Sequence, residues 1–98
     1  MNITKIVDEN GLTVALDGRL DTITAPELEK ELGNSLEGVR ELTFDLAKLE
    51  YISSAGLRVL LAAQKIMNKQ GSMKLIHVDE VIMEIFEVTG FTDILTIE

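Results

Sequence analysis

The sequence has 98 residues, of which 46% are hydrophobic and 27% charged; it contains no cysteine and carries a formal charge of −8. This length leaves room for one compact domain over residues 1–98, and the composition is that of a folded globular protein. The missing cysteines exclude disulfides, thiolate metal sites and cysteine nucleophiles, and they favour a reducing, cytoplasmic setting. No apolar run is long enough to cross a membrane, and the acidic charge disfavours nucleic-acid binding, so the expected partner is another protein.

The first twenty residues predict an antiparallel hairpin. Residues 3–7 mix apolar and polar side chains, large apolar residues recur at every second position over 12–16, and the intervening Asp-Glu-Asn-Gly at 8–11 has turn chemistry. The pair Asp17-Gly18 is expected to close the second strand.

The next segment predicts a helix. Thr24 and Glu27 have the spacing of a capping box, and Ile23 and Leu28 occupy the two positions of a hydrophobic staple. The helix is expected to end near Gly38.

The second half of the chain alternates between strand-like and helix-like patterns. The expected elements are a strand at 42–46, a connection at 47–51, a helix from Ser53 to about residue 70, a strand at 73–78, a helix capped by Asp79 and ended by Gly90, and a short strand at 94–97. Strands that alternate with helices need crossover connections and therefore run parallel. The sequence thus predicts an α/β fold, a mixed β-sheet with an N-terminal antiparallel hairpin and helices mainly on one face.

Catalytic and metal-binding motifs are lacking. His77 is the only histidine and lies in a predicted strand, where a structural role is expected. The adjacent acidic pairs at 8–9 and 79–80 lie at turns or helix starts, where they are expected to be solvated or to cap a helix. We therefore expect no enzyme, no metal site and no cofactor.

The segment YISSAGL, residues 51–57, is the strongest functional signal. Ser53 and Ser54 stand where an extended connection turns into a helix, and free backbone amides and the helix dipole favour a negative group there. A phosphate could be held at this point without unfolding the helix, and its charge would change any surface that a partner touches. A serine that merely caps the helix fits the same residues, and both interpretations remain open at this stage.

The stretch YISSAGLRVLLAAQK, preceded by LTFDLAKLE, resembles the phosphorylation-site region of bacterial anti-sigma factor antagonists, the single STAS-domain proteins. The resemblance covers nearly the whole chain, including the hairpin, the segment LDGRLDTITAPELEKEL, the strand ending in Asp45 and the closing segment EVIMEIFEVTGFTDIL. It implies a STAS-like fold and a role in transcription regulation by partner switching.

In the mechanism that the resemblance implies, the unmodified protein binds an anti-sigma serine kinase and so releases the sigma factor. Phosphorylation of Ser54 by this kinase ends the complex, and a serine phosphatase restores the unmodified form. The aspartate that usually precedes this serine is replaced by Ser53. This removes one negative charge beside the acceptor, which would alter recognition by the kinase, and it makes Ser53 a second candidate acceptor. The implied partner-binding residues are Asp21, Thr22, Ser53, Gly56, Leu57 and Arg58.

Three alternatives remain beside the switch. A non-phosphorylated STAS scaffold would share every fold-level feature and differ only in whether Ser54 is modified. A phosphocarrier would need an exposed active histidine at a helix start, which His77 does not match. An enzyme would need a convergent set of polar residues that the sequence does not supply.

Overall fold

The computed structural model describes all 98 residues and contains one four-stranded sheet, whose strands lie side by side in chain order. Its elements are β1 (Asn2–Val7), β2 (Gly11–Leu20), α1 (Ala25–Gly33), β3 (Glu41–Ile52), α2 (Ser54–Gln70), β4 (Ser72–Ile76), α3 (Glu80–Val88) and a 3-10 turn (Phe91–Asp93). Strand β1 is antiparallel to β2, whereas β2, β3 and β4 run parallel. The predicted mixed α/β fold with an N-terminal hairpin is confirmed.

The core lies between the helices and one face of the sheet. Leu12, Val14 and Phe44 point into it from β2 and β3 and are buried, while their neighbours Thr13 and Thr43 on the opposite face are partly exposed. This alternation follows from the two-residue period of a strand and indicates that the helices cover mainly one face. The largest fully buried side chains of the helices include Leu28, Leu60, Met67, Ile82 and Phe86.

Both central strands are longer than the sequence pattern predicts. Strand β2 continues through Asp17 and Gly18, and β3 continues through residues 47–51, because the two strands remain paired as far as Leu20 and Ile52. Two register shifts interrupt this pairing, between Ala15 and Asp17 and between Gly18 and Arg19. Such irregularities break the two-residue alternation. The predicted connection at 47–51 was therefore wrong.

The helix α1 starts after Thr24 as predicted, but its C-terminal end and its capping contacts differ from the prediction. It stops at Gly33, not near Gly38, although Leu36 beyond it is still buried. The predicted staple is absent, since Ile23 is 82% exposed. The predicted capping box is absent as well: Thr24 has helical backbone angles, and its hydroxyl instead donates to Arg19 O.

The C-terminal region matches its predicted caps, and it contains the strand predicted at 73–78 in a form that ends earlier. Asp79 accepts a hydrogen bond from Ile82 N at 2.9 Å, and Gly90 follows α3 with a left-handed φ of 79°. Strand β4 ends at Ile76 because His77 takes a left-handed φ of 58°. The strand expected at 94–97 is reduced to a single parallel bridge between Leu75 and Ile97. None of the helices has the length and apolar character needed to cross a membrane.

Candidate functional site

The two parallel strands β2 and β3 end side by side, and this places the start of α2 next to the loop that follows β2. Leu20 pairs with Ile52 at the end of the ladder, and Ser53 N donates to Leu20 O at 2.9 Å. Residues that lie some thirty positions apart in the sequence are therefore neighbours at one edge of the sheet.

The two serines at this edge have different surroundings. Ser53 is the extended residue before α2, and its carbonyl accepts the first helical hydrogen bond from Leu57 N at 2.9 Å. Its hydroxyl is buried, has no hydrogen-bond partner and does not cap the helix. Ser54 is the first residue of α2 and is exposed. Only Ser54 presents its hydroxyl to a reagent or a partner.

The start of α2 is electrostatically suited to a negative group beside Ser54. The helix has 17 residues, no acidic residue in its first turn and no side-chain cap, so its first N–H groups are not neutralised by the chain itself. Backbone N–H groups at a helix start carry partial positive charge and attract anions.

Of the residues after Ser54, some are buried against the sheet and others are exposed to solvent. Gly56 is buried against Leu20 and Ile52, and Leu57 is 5% exposed, so neither has side-chain surface to offer a partner. They hold the helix on the sheet instead. Arg58 is exposed on the outer side of α2.

The loop before α1 is held by the side chain of Asp21. Its Oδ1 accepts hydrogen bonds from Ile23 N at 3.0 Å and Thr24 N at 3.1 Å, and Thr24 Oγ1 accepts from Asp21 N at 2.9 Å. The hydrogen bond from the Thr24 backbone is the main reason that the pKa of Asp21 lies below its ordinary value. Asp21 is therefore an anion that shapes this loop, and Thr22 beside it is exposed.

Three residues of this surface were not among the partner-binding residues expected from the sequence. The Arg19 guanidinium lies 4.4 Å from the centroid of the Tyr51 ring, and Arg19 Nε lies 3.9 Å from Asp21 Oδ2. Ile23 adds an exposed apolar side chain to the same loop. Arg19 faces Tyr51 because β2 and β3 pair in parallel, and no local signal in the sequence gives that register.

The lone histidine lies away from this edge. His77 Nδ1 is 2.9 Å from Asp45 Oδ1. Burial alone would raise the pKa of Asp45, but the hydrogen bonds from His77 and from Ala47 N outweigh it and hold this pKa below its ordinary value. No three side chains of histidine or carboxylate type come together as a metal site.

Comparison with known proteins identifies the family. The sequence model of the STAS domain family matches residues 2–98. BtrV of Bordetella bronchiseptica, a candidate anti-sigma factor antagonist, is 36% identical over 99 residues, which cover 99% of this chain and 85% of BtrV. The anti-sigma-B factor antagonist of Bacillus subtilis is 33% identical over 98 residues, which cover 99% of this chain and 90% of that protein.

Solved structures show the same fold. The anti-sigma factor antagonist SpoIIAA in its unphosphorylated form has a TM-score of 0.78 at 14% identity, over 99% of this chain and 87% of that one. Bacillus SpoIIAA in its phosphorylated form has a TM-score of 0.77 at 14% identity, over 99% of this chain and 91% of that one. With the sequence matches, these likenesses establish that the chain belongs to the STAS-domain family of anti-sigma factor antagonists.

Proposed function

We propose that this protein is a partner switch controlled by phosphorylation of Ser54. The unmodified form binds an anti-sigma serine kinase and thereby frees the sigma factor that the kinase holds. The kinase then phosphorylates Ser54, which ends the complex, and a serine phosphatase restores the binding form. Residues 1–98 act as one STAS domain in the cytoplasm, by binding rather than by catalysis, and without direct contact to nucleic acid or membrane.

The observation that carries this proposal is the difference between the two serines. Ser54 is exposed at the first position of α2, whereas the hydroxyl of Ser53 is buried and unpartnered. A kinase can reach Ser54 without unfolding the helix, so we assign the switch to Ser54 and not to the second candidate, Ser53. The existence of SpoIIAA structures in a phosphorylated and an unphosphorylated form supports such a switch in a protein of the same fold.

The surface around Ser54 suits a protein partner. Exposed side chains of Thr22, Ile23 and Arg58 and the stacked pair of Arg19 and Tyr51 combine apolar, aromatic and charged groups. Aromatic residues and arginine are enriched at protein interfaces. Of the residues that the family resemblance implies, we propose that Asp21, Thr22 and Arg58 contact the partner directly, and that Ser53, Gly56 and Leu57 act by positioning the start of α2.

A phosphate on Ser54 would end binding for a physical reason. It adds about 1.5 to 2 negative charges, which lose their water when the surface is covered. The chain already carries a charge of −8. The same dianion is tolerated in the free protein because it meets solvent and the N–H groups at the start of α2.

A constitutive STAS scaffold is the second candidate function. The observation that favours it is Ser53, which stands where the family resemblance implies an aspartate and leaves the kinase without that negative charge beside Ser54. Such a scaffold would bind its partner without being modified.

The deciding experiment incubates the purified protein with an anti-sigma serine kinase of its host and Mg-ATP, and maps phosphate by mass spectrometry. We expect phosphate on Ser54 in the wild type and in Ser53→Ala, and none in Ser54→Ala. Partner affinity is measured on the same samples by calorimetry. Absence of phosphate on either serine, with undiminished partner binding, would favour the scaffold; phosphate on Ser53 alone would move the switch by one residue.

A further inference from the structure

The outer side of α3 carries an uncovered apolar groove. Val81 is 60% and Val88 79% exposed, and the half-buried Ile85 lies between them at helical spacing. These side chains form a shallow groove with Glu84. The helix carries three charges, all negative, at Glu80, Glu84 and Glu87.

The outer side of α2 has the opposite charge. Its three charged residues are Arg58, Lys65 and Lys69, and it has no acidic residue over its 17 positions. At spacings of seven and four residues, these three share one face of the helix. Beside the two lysines, Ile66 is 44% exposed. Each helix thus combines an exposed apolar side chain with charges of a single sign.

These charges have no partner within the chain. The ion pairs of the structure join Lys5 to Glu31, Arg19 to Asp21, Lys74 to Glu98 and His77 to Asp45, and none involves a charged residue of α2 or α3. Both helices therefore keep their charge available for an outside contact.

We propose that a second copy of this chain docks the C-terminal half of its α2 into the α3 groove. In this contact Ile66 packs against Val81 and Val88, and the two lysines of α2 lie near the glutamates of α3. The occupant is a second copy because the chain itself supplies both complementary surfaces. The contact joins two different patches, so in a pair one copy keeps its α3 groove free and the other keeps its α2 surface free, and the association runs head to tail, as a ring or an open chain.

The association is weak and compatible with the proposed switch. One helix-on-helix contact is smaller than a standard interface of about 1,600 Å², which places it among transient interactions. The overall negative charge opposes association, but at physiological salt it is screened beyond about 8 Å, whereas charges in direct contact are screened less. Lys65 lies eleven residues, or about 16 Å, along α2 from Ser54, so the contact leaves the serine exposed.

Sedimentation velocity and small-angle scattering, each over a protein concentration series, test the proposal. We expect the mean mass of the wild type to rise with concentration. Lys65→Glu with Lys69→Glu, and separately Glu84→Lys with Glu87→Lys, should each weaken association roughly tenfold or more, because each places like charges in contact. A protein that combines all four changes should regain association, since the pairs are restored with their signs exchanged.

The second double variant separates local contact from overall repulsion. Each Glu→Lys change adds two positive charges, so Glu84→Lys with Glu87→Lys brings the net charge from −8 to −4. Reduced repulsion alone would strengthen association, whereas the proposed contact requires it to weaken. Lys48→Glu and Glu37→Lys change exposed charges outside both helices and are the matched controls, with circular dichroism as the check on folding.

Three outcomes would overturn the proposal. The first is a wild type that stays monomeric over the whole concentration series. The second is an association that both double variants leave unchanged. The third is a protein with all four substitutions that does not regain association. Should the monomeric wild type instead bind a basic amphipathic helical peptide through Val81 and Val88, the groove belongs to a different protein and not to a second copy.

Discussion

Gly56, in the first turn of α2, lies so close to the end of β2 that a β-carbon on it would stand 2.7 Å from Leu20 Cγ. The same atom would be 2.9 Å from Ile52 Cγ1. Real β-carbons do not approach side chains this closely, so only glycine allows α2 to pack this closely against the sheet. The position of Ser54, two residues earlier, depends on this contact.

We expect Gly56→Ala to destabilise the fold by roughly 1 to 3 kcal/mol, because the overpacking exceeds the gain in helix propensity. Gly33→Ala is the matched control within a helix: a β-carbon there meets no atom within 4 Å, and we expect it to stabilise by about 0.4 to 1 kcal/mol. Urea unfolding measures both. Equal effects of the two substitutions would contradict the tight contact at Gly56.

Leu60 tests the packing of α2 on the sheet. Its side chain is fully buried, whereas Leu61 beside it is only partly buried. We expect Leu60→Ala to cost roughly 2 to 5 kcal/mol of unfolding free energy, since it removes transfer energy and leaves a cavity. Leu61→Ala should cost clearly less. If Leu60→Ala left the denaturant midpoint unchanged, this face of α2 would not be part of the core.

Asp45 links stability to acid pH. Its pKa in the folded protein lies below the ordinary value of 3.8, so its ionised form is favoured by folding. The stability that it contributes is fully present above the unfolded pKa and is lost as the pH falls through the folded pKa. We therefore expect Asp45→Asn to flatten the loss of stability below about pH 4.

Urea unfolding at a series of pH values between 7 and 3 measures this effect. His77→Ala removes the hydrogen bond to Asp45 and should move the pKa of Asp45 upward, which carboxyl-carbon NMR follows directly. Asp17→Asn removes a charge of the same sign from the neighbouring strand without touching the His77 contact. If Asp45→Asn and Asp17→Asn changed the loss of stability at acid pH equally, the His77 contact would not be the cause of that loss.

Substitutions at Ser54 test the switch by charge. We expect Ser54→Ala to bind the kinase like the unmodified protein and to fold normally, because the Ser54 side chain is exposed at the first position of α2. Ser54→Asp should bind more weakly, by less than the phosphorylated protein, since its planar carboxylate carries one charge where phosphate carries up to two. Calorimetric titration with the kinase measures both affinities.

Ser53→Ala is the control for this series. Its hydroxyl is buried without a partner, so we expect its removal to leave stability unchanged or slightly raised, and phosphorylation intact. Equal affinity of the wild type and Ser54→Asp would argue against charge at Ser54 as the signal.

The sequence by itself determined the parts of this protein that depend on near neighbours. The turn residues at 8–11 and the alternation after them predicted the β1–β2 hairpin, the serine pair at 53–54 marked the start of α2, and Asp79 predicted the cap of α3. These signals are local because hairpin turns, caps and helical periods are set by residues within a few positions of one another.

Only the tertiary structure decided what depends on distant partners. The parallel ladder extends β2 and β3 to Leu20 and Ile52, and its register shifts hide that extension from a two-residue pattern. The same pairing stacks Arg19 on Tyr51, and the packing of α2 buries the hydroxyl of Ser53 while it leaves Ser54 exposed. Register and burial arise when segments far apart in the chain meet, so nothing in either segment alone records which serine faces the solvent.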